Sequence, residues 1–294
     1  MDKVKRSLKT FSLRPYFFLL PSIFFLFLFI IYPIFEIIYS SFFYITPKGE
    51  ERFVGLQNYL DLFSDSVFVW SLKNTILWVI LRVTLMLILG LGIALPINYP
   101  FRGNSIIETI LIIPWAMPLA IVCYGWKWML NGPYGHFNSL LNILGLISQP
   151  FPEWLGSPLG AFLGVLGVSV YTGLPFTTLI YLSGLKSIPE SLYEAALIDG
   201  ASIWQRFRYI TLPQLRAVVI TIILLETIIS FGSFTTVWIV TLGGPLHYTE
   251  LIVTYLYKVA FEFFNWAKAF TIATIGFIIL FIFSFIYISK TWRE

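Results

Sequence analysis

Four ionisable side chains, Glu36, Arg82, Lys127 and Glu226, stand inside long apolar runs. A charge among apolar residues is costly unless it is paired or faces a polar cavity, so each marks a candidate site. Lys127 lies near the end of its run and can carry its ammonium out to a polar boundary on a flexible stem. Arg82 lies near mid-run and reads either as cavity-facing or as half of an ion pair, for instance with Glu226. The remaining chemistry is sparse. Cys123 is the single cysteine, which excludes a disulfide framework and a cysteine metal site. His136 and His247 have no His or Cys neighbour at ligand spacing, so no metal site is expected. The sequence contains no Gly-x-x-x-x-Gly-Lys-Ser/Thr phosphate loop, no serine nucleophile elbow and no paired-carboxylate motif. We therefore expect a chain that is not an enzyme and hydrolyses no ATP itself.

These residues are carried on segments long enough to cross a bilayer. With 58% hydrophobic and 12% charged residues and a mean hydropathy of +0.83, the composition lies far from that of a soluble domain. Apolar runs of about twenty residues or more fall at 17–43, 70–97, 106–130, 159–183, 218–240 and 270–289. The expectation is an all-α integral membrane protein with six transmembrane helices, one domain over 17–289, and tails at 1–16 and 290–294. The first run exceeds the apolar core of a signal peptide and no clean small-x-small cleavage site follows it, so it is expected to remain. There is no solenoid-type repeat and no low-complexity tract.

Basic residues set the orientation, because Lys and Arg are retained on the cytoplasmic side. With the N-terminus inside, the cytoplasmic set is Lys3, Lys5, Arg6, Lys9, Arg14, Arg102, Lys186, Arg206, Arg208, Arg216, Lys290 and Arg293. The outer set is only Lys48, Arg52, Lys73, Lys258 and Lys268, and 131–158 has no Lys or Arg. Both termini are then cytoplasmic. The net charge of +4 is accounted for by topology and gives no support to nucleic-acid binding.

The stretch between the fourth and fifth spans, 184–216, has a helical grammar of its own. Ser187-x-x-Glu190, Ser202-x-x-Gln205 and Thr211-x-x-Gln214 each have the capping-box form, so three helix starts are expected. Pro189 suits a first turn, and Gly200 can take the left-handed conformation that ends a helix. This reads as two short helices at a bend, a helix-turn-helix leading into a span. Within it stand Glu194-Ala195-Ala196, Asp199-Gly200 and Ile210-x-Leu212-Pro213. Together they resemble the EAA signature of the membrane (permease) subunit of prokaryotic ATP-binding-cassette (ABC) importers, which marks a cytoplasmic loop gripped by the ATPase. The charge count places this stretch on that same side.

Other segments extend the resemblance over most of the chain. Phe53-x-Gly55-Leu56-x-Asn58-Tyr59, Lys73-Asn74-Thr75, Asn131-Gly132-Pro133-Tyr134-Gly135-x-x-Asn138 and Leu242-Gly243-Gly244-Pro245 are similar to segments of carbohydrate-uptake permeases of the MalF or UgpA kind. One turn departs, since Asn131-Gly132-Pro133 stands where those permeases more often have Asn-Pro-x. The resemblance implies a type I ABC importer permease fold in the cell membrane and a maltose- or trehalose-type di- or oligosaccharide as solute. It implies as partners a second homologous permease in a heterodimer, two ATPase subunits and an external solute-binding protein. ATP and magnesium belong to the ATPase, and this chain binds no cofactor. The coupling set it implies is Glu194, Ala195, Ala196, Asp199, Gly200, Arg206, Arg208, Ile210, Leu212 and Pro213. Glu194 would make a charge-assisted bond to the ATPase, the two alanines would allow close approach, Gly200 would provide the bend, and Arg206 and Arg208 would meet acidic residues.

A solute path needs polar groups at membrane depth. Span four offers Ser169, Tyr171, Thr172, Gly173, Thr177 and Thr178 around Pro175, where a helix break would free carbonyls for a sugar hydroxyl. Span three offers Tyr124 and Trp128 beside Pro114, Trp115 and Pro118, with aromatic faces that stack on pyranose rings, although Trp126 and Trp128 also fit an interfacial belt. Arg82 completes the set and would suit an anion, which keeps a glycerol 3-phosphate or related polyol phosphate permease as the alternative. A secondary transporter would show inverted repeats, and none is detected. A membrane-embedded enzyme would need convergent His or acidic residues, which the scattered charges do not supply.

Overall fold

All six apolar runs are helical, yet two of them are not single helices. The computed structural model describes residues 14–45, 50–99 and 102–291. Lys3, Lys5, Arg6, Lys9, Lys48 and Arg293, used above for orientation, lie outside the described residues, as do most of the two expected tails. In chain order the elements are α1 (Arg14–Leu26), α2 (Tyr32–Ser40), a hairpin of β1 (Phe43–Ile45) and β2 (Glu51–Phe53), α3 (Gln57–Phe63) and α4 (Ser66–Ile97). There follow α5 (Asn104–Ala116), α6 (Leu119–Met129), α7 (His136–Ile143), α8 (Pro158–Lys186), α9 (Glu190–Ile198) and α10 (Ile203–Arg206). The last are α11 (Leu212–Gln214), α12 (Arg216–Phe231), α13 (Phe234–Thr241), α14 (Ile252–Tyr257) and α15 (Trp266–Thr291). The all-α expectation thus misses one antiparallel hairpin, which pairs Phe43 with Phe53 and Ile45 with Glu51.

Among the described residues, Phe17–Ser40, Ser66–Ile97, Pro158–Lys186 and Trp266–Ser289 are each long and apolar enough to cross a membrane. Two further spans arise only when bent pairs are joined: α5 with α6, at 93°, and Ile203–Gln214 with α12, at 61°. The expectation of one helix over 106–130 is corrected at Met117–Pro118. A residue before proline is pushed out of the helical region, and Met117 is extended at φ −77°, ψ 144°. The expected helix over 218–240 is likewise interrupted at Gly232–Ser233, where Ser233 leaves helical geometry. Pro175 does the opposite of what was expected: α8 runs through it unbroken, with Pro175 buried against neighbouring helices.

Two prolines are absorbed in another way. Tyr32-Pro33 and Leu212-Pro213 each follow a wide π-turn, Phe27–Ile31 and Phe207–Thr211, closed by Tyr32 N–H to Phe27 O and Leu212 N–H to Phe207 O. Proline lacks the N–H and crowds the carbonyl four residues back, so widening the turn relieves the clash without ending the helix.

The core is built on α4, α8 and α12. Trp78, Met86, Phe162 and Val165 pack one stretch of α4 against α8, and Ala94, Tyr181, Leu185, Leu215 and Ile222 pack the C-terminal end of α4 with α8 and α12. Phe68, Phe231, Ile252 and Ile272 join α4 to α14 and α15. Asn58 explains its motif: its amide donates to Ser41 O and Phe43 O, at 2.8 and 2.9 Å, and locks the hairpin to the end of α2. Asn138 does the same for its own motif, donating to Gly132 O and Pro152 O while accepting from Trp154 Nε1 at 2.7 Å. Asn74 donates to His247 O and Tyr248 O at 3.0 and 3.1 Å and holds the Gly243-Gly244-Pro245 loop onto α4.

Candidate functional site

Both helix breaks open onto one cavity of about 300 Å³. Pro114, Trp115, Met117 and Leu119 line it from the first break, and Gly232, Ser233, Phe234, Thr235 and Thr236 from the second. Non-helical backbone at membrane depth is tolerated only where protein buries it or where it borders a polar cavity. The breaks and the cavity are therefore one feature. The third wall is α8, with Ser169, Thr172, Gly173 and Phe176, and Arg82 and Glu226 close the floor.

Arg82 and Glu226 are 3% and 1% exposed, so their pairing decides whether either charge can persist. Arg82 Nη1 lies 2.5 Å from Glu226 Oε2 and donates also to Ser230 Oγ at 2.8 Å, while Nε donates to Ser169 Oγ at 2.8 Å. Thr177 Oγ1 donates to Glu226 Oε1 at 2.7 Å. Arg82 is thus half of an ion pair and at the same time borders the cavity, so its two readings hold together. Gly173 is what lets the guanidinium pass, because a Cβ there would stand 2.5 Å from Arg82 Nη2 and from Met86 Cε.

Of the expected path residues, Ser169, Thr172, Gly173 and Arg82 meet at this cavity, whereas Tyr171, Tyr124 and Trp128 do not line it. Tyr171 packs edge-on against Trp126 and Trp128 against His136, with ring centroids 5.3 and 4.5 Å apart. Tyr124 and Trp128 are exposed. Thr178 is buried and donates to Leu174 O, and Lys127 donates to Ile239 O at 2.9 Å, tying α6 to α13. Pro114 and Trp115, named beside Tyr124 and Trp128, do line the cavity, and Trp115 stacks on Phe176 with centroids 6.1 Å apart and planes 11° apart; sequence reasoning passed over Phe176 and the hydroxyls of Ser233, Thr235 and Thr236. The only available signal for the latter was Gly232-Ser233 inside an apolar run. A lining that combines Ser and Thr side chains with flat rings suits a solute with hydroxyl edges and apolar faces.

The 184–216 stretch forms the bend that was expected, by partly different means. After α9, Gly200 is left-handed at φ +74°. Ala201 N–H reaches Ala196 O and Gly200 N–H reaches Leu197 O, at 2.9 and 3.0 Å, the paired bonds of a Schellman stop. The Ser202–Gln205 capping box forms reciprocally. The other two do not. Ser187 Oγ turns back to Gly184 O at 2.7 Å and ends α8, and Thr211 sits inside the π-turn with its hydroxyl 2.9 Å from Tyr193 OH. Ala196, Asp199, Gly200, Arg206 and Ile210 border a hollow of about 320 Å³ together with Gln205 and Tyr209. Glu194, Ala195, Arg208, Leu212 and Pro213 lie outside it, with Glu194, Ala195, Arg208 and Pro213 exposed. Around this bend Leu197, Ile198, Ile203, Trp204 and Tyr209 are all strongly exposed.

A bundle of membrane-crossing helices with a polar cavity at two breaks, and a bent helical segment presenting apolar side chains at one end, is an architecture suited to transport. The chain belongs to the family of binding-protein-dependent transport system inner membrane components, whose profile matches residues 86–291. It is 38% identical over 281 residues to a probable ABC transporter permease protein of Brucella suis, covering 95% of this chain and 97% of that one. Over 221 residues it is 41% identical to the trehalose/maltose transport system permease protein MalF of Thermococcus litoralis, covering 75% of this chain and 72% of that one. The fold matches a chain of a bacterial alginate ABC transporter, crystallised with its alginate pentasaccharide-bound periplasmic protein, at a TM-score of 0.83 and 21% identity over 95% and 94% of the two chains. The likeness to ABC permeases read from the EAA-like segment holds. Membership implies a partner ATPase and a solute-binding protein.

Proposed function

We propose that the chain is one permease of a heterodimeric, ATP-driven importer of di- or oligosaccharides of the maltose or trehalose kind. The observation that carries this reading is the cavity between the helix breaks, lined by the hydroxyl-bearing Thr172, Ser233, Thr235 and Thr236 together with the stacked rings of Trp115 and Phe176. The name of the Thermococcus relative supports the solute class. Arg82 was the reason to consider an anion such as glycerol 3-phosphate, but its charge is met by Glu226 and offers an anion no net attraction. Six spans, cytoplasmic termini and a cytoplasmic 184–216 segment complete the proposal. Glu194 and its neighbours there would engage an ATPase that holds the ATP and magnesium, and the exposed apolar residues at the bend supply the matching surface.

The test is reconstitution of this chain with its partner permease, ATPase and binding protein in proteoliposomes, with labelled maltose and trehalose as probes. ATP-dependent uptake is expected, and Thr172→Trp should block it while sugar-loaded binding protein still stimulates ATP hydrolysis. Accumulation driven by an ion gradient without the ATPase would overturn the proposal.

A further inference from the structure

Three successive elements each place two aromatic rings four residues apart, the spacing that puts side chains on one helix face. They are Phe234 and Trp238 on α13, Tyr257 and Phe261 across α14 and the turn after it, and Trp266 and Phe270 on α15. The rings run on without a gap. Phe234 stacks on Trp238 with centroids 5.3 Å apart, and Tyr257 stands 5.1 and 4.6 Å from the two of them. Tyr257 to Phe261 is 5.0 Å and Phe261 to Trp266 is 5.5 Å. Phe234 is itself part of the cavity wall. At the far end Phe261 is 54% exposed, and none of the five rings from Phe234 to Trp266 is fully buried. Among the described residues, Trp238 Nε1, Trp266 Nε1 and the Tyr257 hydroxyl make no hydrogen bond, so the rings carry unused polar tips beside their apolar faces.

We infer that Phe234, Trp238, Tyr257, Phe261 and Trp266 form a stacking track that passes the pyranose rings of a saccharide between the outer surface and the central cavity. The inference rests on the sugar-import reading and deepens it. Aromatic side chains with free donors meet both surfaces of a sugar, its C–H face and its hydroxyl edge. A row of such stations replaces one strong site by several weak ones, so a solute moves without being trapped. Rings that only anchor the chain in lipid would form a belt facing outward, and a belt has no reason to end in the wall of a polar cavity.

The experiment uses the complete transporter in proteoliposomes and reads sugar delivered per ATP hydrolysed, with maltose, trehalose and maltotriose as probes. Phe261→Leu and Tyr257→Leu keep apolar bulk and remove the ring, while Phe261→Trp and Tyr257→Phe keep it. Phe261 is more than half exposed, so its replacement leaves the core untouched. The leucine variants should deliver roughly three- to ten-fold less sugar per ATP, the loss of about one stacking contact, and the aromatic variants should stay within roughly twofold. Leucine variants with an unchanged ratio would show that the rings serve packing or lipid anchoring and would overturn the track alone. No uptake of any probe by the unmodified transporter would remove the sugar reading, and the track with it.

Discussion

Arg82 and Glu226 act as a unit, and neither can be spared without the other. Each is buried, and the network also fixes Ser169, Ser230 and Thr177 on α8 and α12. Breaking a buried pair from one side strands a charge at a cost of about 3–5 kcal/mol, whereas replacing both partners by apolar residues is often neutral. Glu226→Gln should therefore lower the Tm of the purified chain markedly, and Arg82→Met combined with Glu226→Leu should recover most of it. A double variant as unstable as the single one would remove the pair as the cause. Outside the spans, Asp65 caps α4 through Val67 N–H and binds Lys268 Nζ at 2.5 Å and the Tyr255 hydroxyl. Burial works against its charge, but the Lys268, Tyr255 and Val67 hydrogen bonds outweigh it and hold its pKa below the ordinary carboxylate value. A depressed pKa stabilises the fold fully above the unfolded value of roughly 3.9 and stops doing so as pH falls through the folded one. The Tm gap between wild type and Asp65→Asn should accordingly stay level from pH 7 to 5 and close only below about pH 4. Closure already at pH 6 would exclude Asp65 as its source.

Elements show where local chemistry decides and where packing overrides it. The stop at Gly200 was legible because a left-handed residue after a helix has few candidates besides glycine. A side chain at φ +74° is strained by roughly 1–2 kcal/mol, so Gly200→Leu should disturb the bend. Gly200→Leu and Glu194→Ala, each alone, should abolish ATP-driven uptake while the chain remains inserted and detectable in membranes; normal transport in both variants would end the coupling proposal. The six apolar runs and the Ser202–Gln205 cap were equally legible. Prolines were not. Pro118 stands at a 93° bend in its span and Pro175 lies inside an uninterrupted helix, although both lie in apolar runs of similar composition. What separates them is the set of helices around Pro175, and a single sequence does not display that. Ser187 and Thr211 failed as caps for a related reason: each found a nearer partner, one in its own preceding turn and one in Tyr193 on a different helix.

At the scale of the whole molecule the sidedness proposed here has a direct check. With Cys123→Ala as background, a cysteine at Ser139 should react with an impermeant thiol reagent from outside and a cysteine at Ser202 should not; both positions are exposed. The reverse pattern would invert the topology. The same architecture also sets an order in time. Arg82 is synthesised 144 residues before Glu226 and 87 before Ser169. At the usual 5–20 residues per second, α4 waits roughly 7–30 s for its counter-charge. During that wait its guanidinium has no partner in the finished network, so α4 is expected to leave the polar interior of the insertion machinery for lipid more slowly than a helix without that charge. A nascent chain stopped before residue 226 should stay crosslinkable to that machinery and be degraded once freed. The same truncation carrying Arg82→Leu should partition into the bilayer and persist, because it holds no buried charge that waits for a glutamate made later.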